Sequence, residues 1–441
     1  MLKHSIIAYS TKYITMGNNK MGSKYIREHP SEKHIDGKTI LVAALFMFIP
    51  LDYVLPHFGS ATVVTLICGL NIILVSFQLL FKQRGFIVNT DTEKICFVSV
   101  VYIFSMIWAN NIDAAMNAAM SILYTVVFYV FVTQNEFCIH DVEFCESAAI
   151  IGGLLLTLYV FFNVNMSLVY AGYRLRFSEL GSAFFSDPNG LAGRLLLPLL
   201  FSIKRLSQRQ GIIKKVLYGL ITGALLYLLF LTGSRGGMLG LLLATISSIF
   251  LNGRHKHFTV IALEIIMSVM VLYLAELYLP DHITNRIFNI TKYQEVTSYE
   301  GDRIDIWKHV IFDLFPLSPI WGYGGGNASY ALQSYYGYLK AVHNSFLVVL
   351  CDTGLIGFIP WSSFIISQVK QAIMLNKESI FVLPITIAIL VMAFTLDAQT
   401  EKYLWATFIY IYMINSSRKL ESEVQYSDQE QRRIPRVYLR R

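Results

Sequence analysis

The feature that most constrains this chain is a succession of apolar segments, each about as long as a bilayer core is thick. Twelve stand near 39–56, 60–81, 95–109, 114–133, 146–168, 182–203, 212–231, 236–251, 258–279, 343–367, 378–395 and 402–415. A helical crossing needs about 20 mostly apolar residues. A soluble reading fails on polarity: charged residues make up 15% of the 441, where soluble domains carry about 25%. Backbone groups in lipid must be bonded within the protein, so the expected fold class is an all-α integral membrane protein of about 12 transmembrane helices. Two segments depart from the pattern: 95–109 is short, and 182–203 carries Asp187, Pro188, Asn189 and Arg194.

Three regions follow: a polar tail over 1–38, a polytopic membrane domain over 39–415, and a basic tail over 416–441 with Arg432, Arg433, Arg436, Arg440 and Arg441. The first 38 residues are too polar for a cleaved signal peptide, so the first apolar run is its own insertion signal. With that tail inside, 26 of the 36 Lys and Arg residues fall in inner segments and 9 in outer ones, while Arg194 lies within a segment. Basic residues favour the cytoplasmic side, and an even number of crossings returns the C-terminus there too. The net charge of +7 is scattered over short loops and tails and does not form a nucleic-acid surface. The five cysteines form no disulfide framework or zinc site and read as small inert residues.

The largest outer piece is the loop 280–342. Ile304, Trp307, Ile311 and Leu314 recur in it at helical spacing and predict an amphipathic helix at the membrane surface. Gly322, Gly324, Gly325 and Gly326 then read as a flexible turn before a Tyr-rich stretch. Trp321, Tyr323, Tyr330, Tyr335, Tyr336 and Tyr338 suit either sugar stacking or interfacial anchoring.

Outer segments are poor in basic residues, so those present are candidates for function. Arg174, Arg176, Arg235 and Arg303 all fall on the outer side, as does His343 where the outer loop meets an apolar segment. An arginine fork binds phosphate or diphosphate through two parallel hydrogen bonds. Arg174 and Arg176 serve equally as interfacial anchors, and Arg303 has Asp302 and Asp305 as neighbours to pair with. In Thr232-Gly233-Ser234-Arg235-Gly236-Gly237, the pairs Gly233/Gly237 and Gly236/Gly240 read first as close-packing devices. His343 has an ordinary pKa near neutrality and suits proton transfer from a hydroxyl. Pro188 among polar residues marks a broken or late-starting helix and an outward-opening polar cavity. No Walker A loop, His-Glu-x-x-His or Gly-x-Ser-x-Gly is present, and no metal or cofactor site is expected.

Taken in order, these residues resemble the O-antigen polymerase and ligase superfamily. The likeness rests on Ser234-Arg235-Gly236-Gly237, on Arg303, Trp307, Pro319, Gly322 and Gly324, and on His343-Asn344 with Gly354 and Gly357. Asp187-Pro188-Asn189, preceded by Arg174 and Arg176, extends it to roughly 174–357. The resemblance implies a GT-C-like membrane glycosyltransferase whose donor is a polyprenyl-diphosphate-linked glycan, without metal or nucleotide. Arg235 and Arg303 match arginines that hold the diphosphate, and His343 matches a histidine that activates the acceptor hydroxyl. Arg174 or Arg176 corresponds to a further substrate-binding arginine; Ser234, Asp187, Asn189, Trp307 and Asn344 are the remaining expected substrate contacts.

Within that family the expectation is a polymerase joining lipid-linked repeat units on the outer face of a bacterial cytoplasmic membrane. A flippase and a chain-length regulator are its expected partners. The alternatives are a ligase, which passes the same donor to a lipid A core or a protein, and a transporter for the lipid-linked sugar. Transporters place ionisable groups near the midplane of repeated halves. Here the candidates gather at one face.

Overall fold

In the computed structural model, the described residues are 35–55, 62–81, 85–163, 168–171, 174–177, 187–252, 303–376 and 381–433, with a few isolated positions between. Helices stand at eleven of the twelve apolar segments: α1 (Gly37–Phe48), α2 (Val63–Phe81), α3 (Thr90–Ser105), α4 (Ile112–Val132), α5 (Ile139–Phe162), α6 (Pro188–Ser207), α7 (Ile212–Leu231), α8 (Arg235–Asn252), and α11, α12 and α13 below. The segment 258–279 lies outside the described residues, as do most of the N-terminal tail, the first third of the loop 280–342, and Arg436, Arg440 and Arg441. Five of the helices, α2, α4, α5, α7 and α11, are long and apolar enough to cross a membrane; α1, α8 and α12 are shorter and apolar.

Helix starts follow local chemistry. Asp36, Asn89, Asn111 and Asp187 each cap a helix by accepting a hydrogen bond from a backbone N–H of its first turn. The outward stripe of α2 is apolar, with Leu66, Leu70, Ile73, Phe77 and Leu80 between 50% and 76% exposed. Only a lipid-like solvent makes such a stripe inexpensive. The first turns of α13 (Lys402–Arg433) are apolar all round, and Tyr403, Leu404, Trp405, Ala406, Phe408, Ile409 and Ile411 are all buried. A helix of that kind belongs in the middle of a bundle, and α13 touches α4, α5, α6, α11 and α12. It continues unbroken through what reads as a tail, to Arg433.

Small residues set the closest approaches. A side chain at Gly240 would come within 2.8 Å of the Ala388 carbonyl oxygen on α12 (Val382–Thr395), and one at Gly236 would strike Thr395. The Gly236/Gly240 pair is therefore the seam along which α8 packs on α12. At one end of the bundle, fully buried Glu146 meets Lys204 at 2.5 Å, Arg205 at 3.2 Å and the Tyr410 hydroxyl at 2.8 Å, tying α5, α6 and α13 together.

Three findings correct the sequence expectations. The chain is not wholly helical: β1 (Leu168–Ala171) pairs antiparallel with β2 (Arg174–Phe177), in register Ala171 with Arg174 and Val169 with Arg176. The run after Arg303 buries a different face. Helix α9 (Arg303–Lys308) widens into a π-turn over His309–Leu314, which places Ile306, Val310 and Leu314 inside and leaves Ile304 and Ile311 exposed. These residues, with Ala331 and Leu332 of α10 (Ala328–Tyr336) and with Val342 and Val348, form a second small core.

The third correction concerns the glycines at 322–326, which are held rather than flexible. Helical run α11 (Ser345–Leu375) is broken at Gly354, where φ is 57° and ψ is −161°. Around the break its backbone bonds to the loop: Tyr323 N–H to Cys351 O at 2.9 Å, Gly324 N–H to Asp352 O at 2.8 Å, and Leu355 N–H to Pro319 O at 2.9 Å. The Asp352 carboxylate accepts from the amides of Gly326 at 2.8 Å and Ala328 at 2.9 Å. Gly322, Gly324 and Gly326 all have positive φ and lie against other elements. A side chain at Gly354 would lie 2.7 Å from the amide nitrogen of Gly322, in a conformation open essentially to glycine alone. Gly354→Ala is therefore expected to cost about 2–5 kcal/mol, read as a lower midpoint of thermal unfolding in detergent; an unchanged midpoint would show that the loop does not depend on the break.

Candidate active site

His343 lies immediately before α11 and has φ of 55°, the one left-handed residue other than glycine among those described. Its neighbours hold it in place on both sides. On one side the Trp307 indole N–H donates to the Val342 carbonyl at 3.0 Å. On the other, the Asn344 N–H donates to the Asp397 carboxylate at 3.1 Å. The Asn344 side chain caps α11, accepting from the amides of Phe346 at 3.0 Å and Leu347 at 3.2 Å. The Ser345 hydroxyl donates to Leu396 O at 2.8 Å and accepts from Ala398 N–H at 2.7 Å. Residues 343–345 are thus fastened to the segment 396–398 that links α12 to α13.

The same link reaches Arg303. Its guanidinium donates to the Thr395 carbonyl at 3.1 Å, while Asp305 bonds instead to Lys308 at 3.1 Å. The Thr395 side chain packs against Gly236, one residue after exposed Arg235 at the start of α8. Ser234 is buried, and its hydroxyl accepts from Gly237 N–H at 3.3 Å. The start of α8 after Arg235, the Arg303 guanidinium and the backbone after His343 therefore all lie at the end of α12, although 108 residues separate Arg235 from His343.

Helix α6 contributes a further group. Asp187 accepts from the amides of Asn189 at 2.9 Å and Gly190 at 3.2 Å, and from the Asn189 side chain at 3.1 Å. It lies close enough to raise the pKa of both His343 and Asp397. Two turns along, Arg194 is buried with its guanidinium 4.1 Å from the centre of the Tyr53 ring. Nearby, Lys402 bonds to Asp52 at 2.6 Å and to Thr62 at 3.1 Å. Arg174 and Arg176 stand in β2, which lies against α7.

Electrostatics divide these groups by role. Burial, with the positive charge of Arg303 next, pushes His343 down from 6.5 to about 4, so its imidazole is neutral at physiological pH. Burial pushes Asp397 up to about 6, against the pull of the Asn344 and His343 amides and Arg303. Burial also raises Glu401, with Arg194 and Lys402 opposing it. Among the described residues, no group of three or more His, Cys, Asp or Glu side chains is placed to hold a metal ion.

Asp397 and Glu401 were not foreseen. They lie in Leu396-Asp397-Ala398-Gln399-Thr400-Glu401, a polar interval between two apolar segments. Counting only Lys and Arg passes over it, although two acids in so short a link are a readable signal. Asn344, Ser234 and Asp187, expected as substrate contacts, are placed as caps of α11, α8 and α6. Trp307 holds the backbone beside His343 through its ring nitrogen.

Residues 220–362 match the protein family described as O-antigen ligase. This stretch, which contains Arg235, Arg303, Trp307, His343 and Asn344, supports the O-antigen polymerase and ligase superfamily. Together with the five helices long and apolar enough to cross a membrane, the match supports a multi-pass membrane protein. No curated protein matches the chain.

A base with so low a pKa stays deprotonated well below neutrality. Turnover in which His343 accepts a proton is expected to hold level from about pH 8 to about pH 5 and to fall through about pH 4. A pH–rate profile of purified protein checks this, and a fall centred near 6.5 would contradict it.

Proposed function

We propose that this protein polymerises polyprenyl-diphosphate-linked oligosaccharide repeat units at the outer face of a bacterial cytoplasmic membrane. The observation that carries the reading is that Arg303 and the backbone beside His343 are fastened to one short link, with Arg235 at its edge. In this reading His343 takes the proton of an acceptor sugar hydroxyl. The freed oxygen forms a bond to the donor's anomeric carbon as the bond from that carbon to the diphosphate oxygen breaks. Polyprenyl diphosphate departs with the electron pair, and Arg235 and Arg303 stabilise its charge. Preorganised cations of this kind act where negative charge develops in the transition state. The N-terminus of α8 adds a favourable field for phosphate beside Arg235.

The topology belongs to the same proposal: about twelve crossings, both termini in the cytoplasm, and the site on the outer side. Arg174 and Arg176 are assigned to the substrate from the resemblance, with Asp187, Asn189, Ser234, Trp307 and Asn344 shaping the walls. Ligation is the second reading, favoured by the description of the matching family. It uses the same donor chemistry and differs in acceptor.

Direct displacement inverts the anomeric centre, so the new linkage is expected to have the opposite anomeric configuration to the donor, read from one-bond carbon–hydrogen couplings; retention would exclude this mechanism. The functional test is a deletion strain complemented with wild type, His343→Ala or Arg235→Ala, with surface polysaccharide resolved on a gel. The expected result is single repeat units on the final acceptor in the deletion strain, long chains with wild type, and at least a tenfold loss of long chains with either variant. Long lipid-linked chains accumulating with no attached glycan would make the protein a ligase. Full complementation by both variants would remove these residues from the chemistry.

A further inference from the structure

We infer that Asp397 is the positioning residue of the active site, holding His343 in the orientation needed for proton transfer; this rests on the function proposed above. A histidine at φ 55° is in a backbone conformation that L side chains rarely adopt. Such a conformation persists only where neighbouring bonds over-determine it. Here the Trp307 indole fixes the carbonyl before His343. The Asp397 carboxylate fixes the amide after it at 3.1 Å. Ser345 bonds on both sides of Asp397, at 2.8 Å to Leu396 O and 2.7 Å to Ala398 N–H, so the carboxylate cannot shift independently of α11.

Asp397 also fixes a relationship between two functional groups. It stands two residues beyond Thr395, whose carbonyl receives the Arg303 guanidinium at 3.1 Å. One extended link therefore sets the histidine and the arginine relative to each other. The requirement on Asp397 is a hydrogen-bond acceptor at a fixed place. Asn offers the same carbonyl geometry without the charge, Ala offers none, and Glu places its oxygens one methylene further out. Loss of the acceptor releases the amide at 344, and the backbone around His343 is then free to relax toward the ordinary helical or extended regions. A base displaced by about an ångström loses on the order of 100-fold in rate while substrate binding persists.

The experiment compares Asp397→Ala and Asp397→Asn in the complemented deletion strain and, purified in detergent, by the rise in thermal midpoint that undecaprenyl diphosphate produces. Asp397→Ala is expected to lose long-chain polysaccharide at least tenfold while keeping the wild-type response to undecaprenyl diphosphate. Asp397→Asn is expected to keep a third or more of the long chains. If Asp397→Ala does not accumulate as folded protein, Asp397→Glu takes its place with the same expected loss. Positioning by Asp397 is overturned if Asp397→Ala makes long chains at the wild-type level. It is equally overturned if folded Asp397→Asn is as inactive as Asp397→Ala, or if Asp397→Ala abolishes the response to undecaprenyl diphosphate. A wild-type protein that neither restores long chains nor responds to undecaprenyl diphosphate overturns the proposed function itself.

Discussion

A helix surrounded by hydrocarbon has no water to complete a broken hydrogen-bond ladder, and α11 is broken at Gly354. The carbonyls of Cys351 and Asp352 and the amides of Leu355 and Ile356 find their partners in Pro319, Ile320, Tyr323 and Gly324 instead. An unsatisfied backbone group in that setting costs several kcal/mol, so the loop is bound to the helix as firmly as one helical turn is to the next. Much else follows from this docking. The loop meets α3 and α4 through Gly325 on Ser105 at 2.8 Å and Asn111 on Asn327 at 2.7 Å. Its two flanks then bring Arg303 and Trp307 from one side, and Val342 and His343 from the other, to the same end of the bundle.

Rigidity at that end has an electrostatic consequence. Four acids, Asp52, Asp187, Asp397 and Glu401, lie among Arg194, Arg303 and Lys402, and His343 feels Arg303 and Asp187 of this set. Burial first and the charge of Arg303 second keep the His343 imidazole neutral, and the same arginine is the one proposed to hold the diphosphate. A neutral base beside a fixed cation is what a displacement with an anionic leaving group requires. The two properties come from one geometry and not from separate adjustments.

Much of this was legible in the sequence because it is local. Apolar length places helices at eleven of the twelve expected segments, Asp187-Pro188 marks a helix start, and the Gly236/Gly240 pair marks a close helix seam. What was missed is non-local or depends on one irregular turn. The π-turn after Lys308 shifts the buried face to Ile306, Val310 and Leu314, a shift that regular helical spacing cannot show. Glycines that look flexible at 322–326 become rigid only because a helix break more than two dozen residues later receives them. The match over 220–362 ends before Asp397 and Glu401, so likeness alone also passes over the acids. The place of Asp397 is fixed by a hydrogen bond spanning 53 residues.

The same bonding limits how substitutions here can be understood. Leaving a buried hydrogen-bonding group without its partner costs about 1–3 kcal/mol, against roughly 0–1 kcal/mol for an exposed ion pair. Asp397 and Arg303 each bond to backbone across elements, so an inactive alanine variant at either is informative only beside a separate measure of folding and of the response to ligand. Exposed Arg235 is different: its helix is already seated by Gly236, Gly240 and the Ser234 cap. A loss of activity there reports on charge more directly than at the half-buried Arg303 and Asp397. Elsewhere in the site, substitutions that keep the hydrogen bond and alter only the charge carry the information, because they leave the bracket around His343 standing.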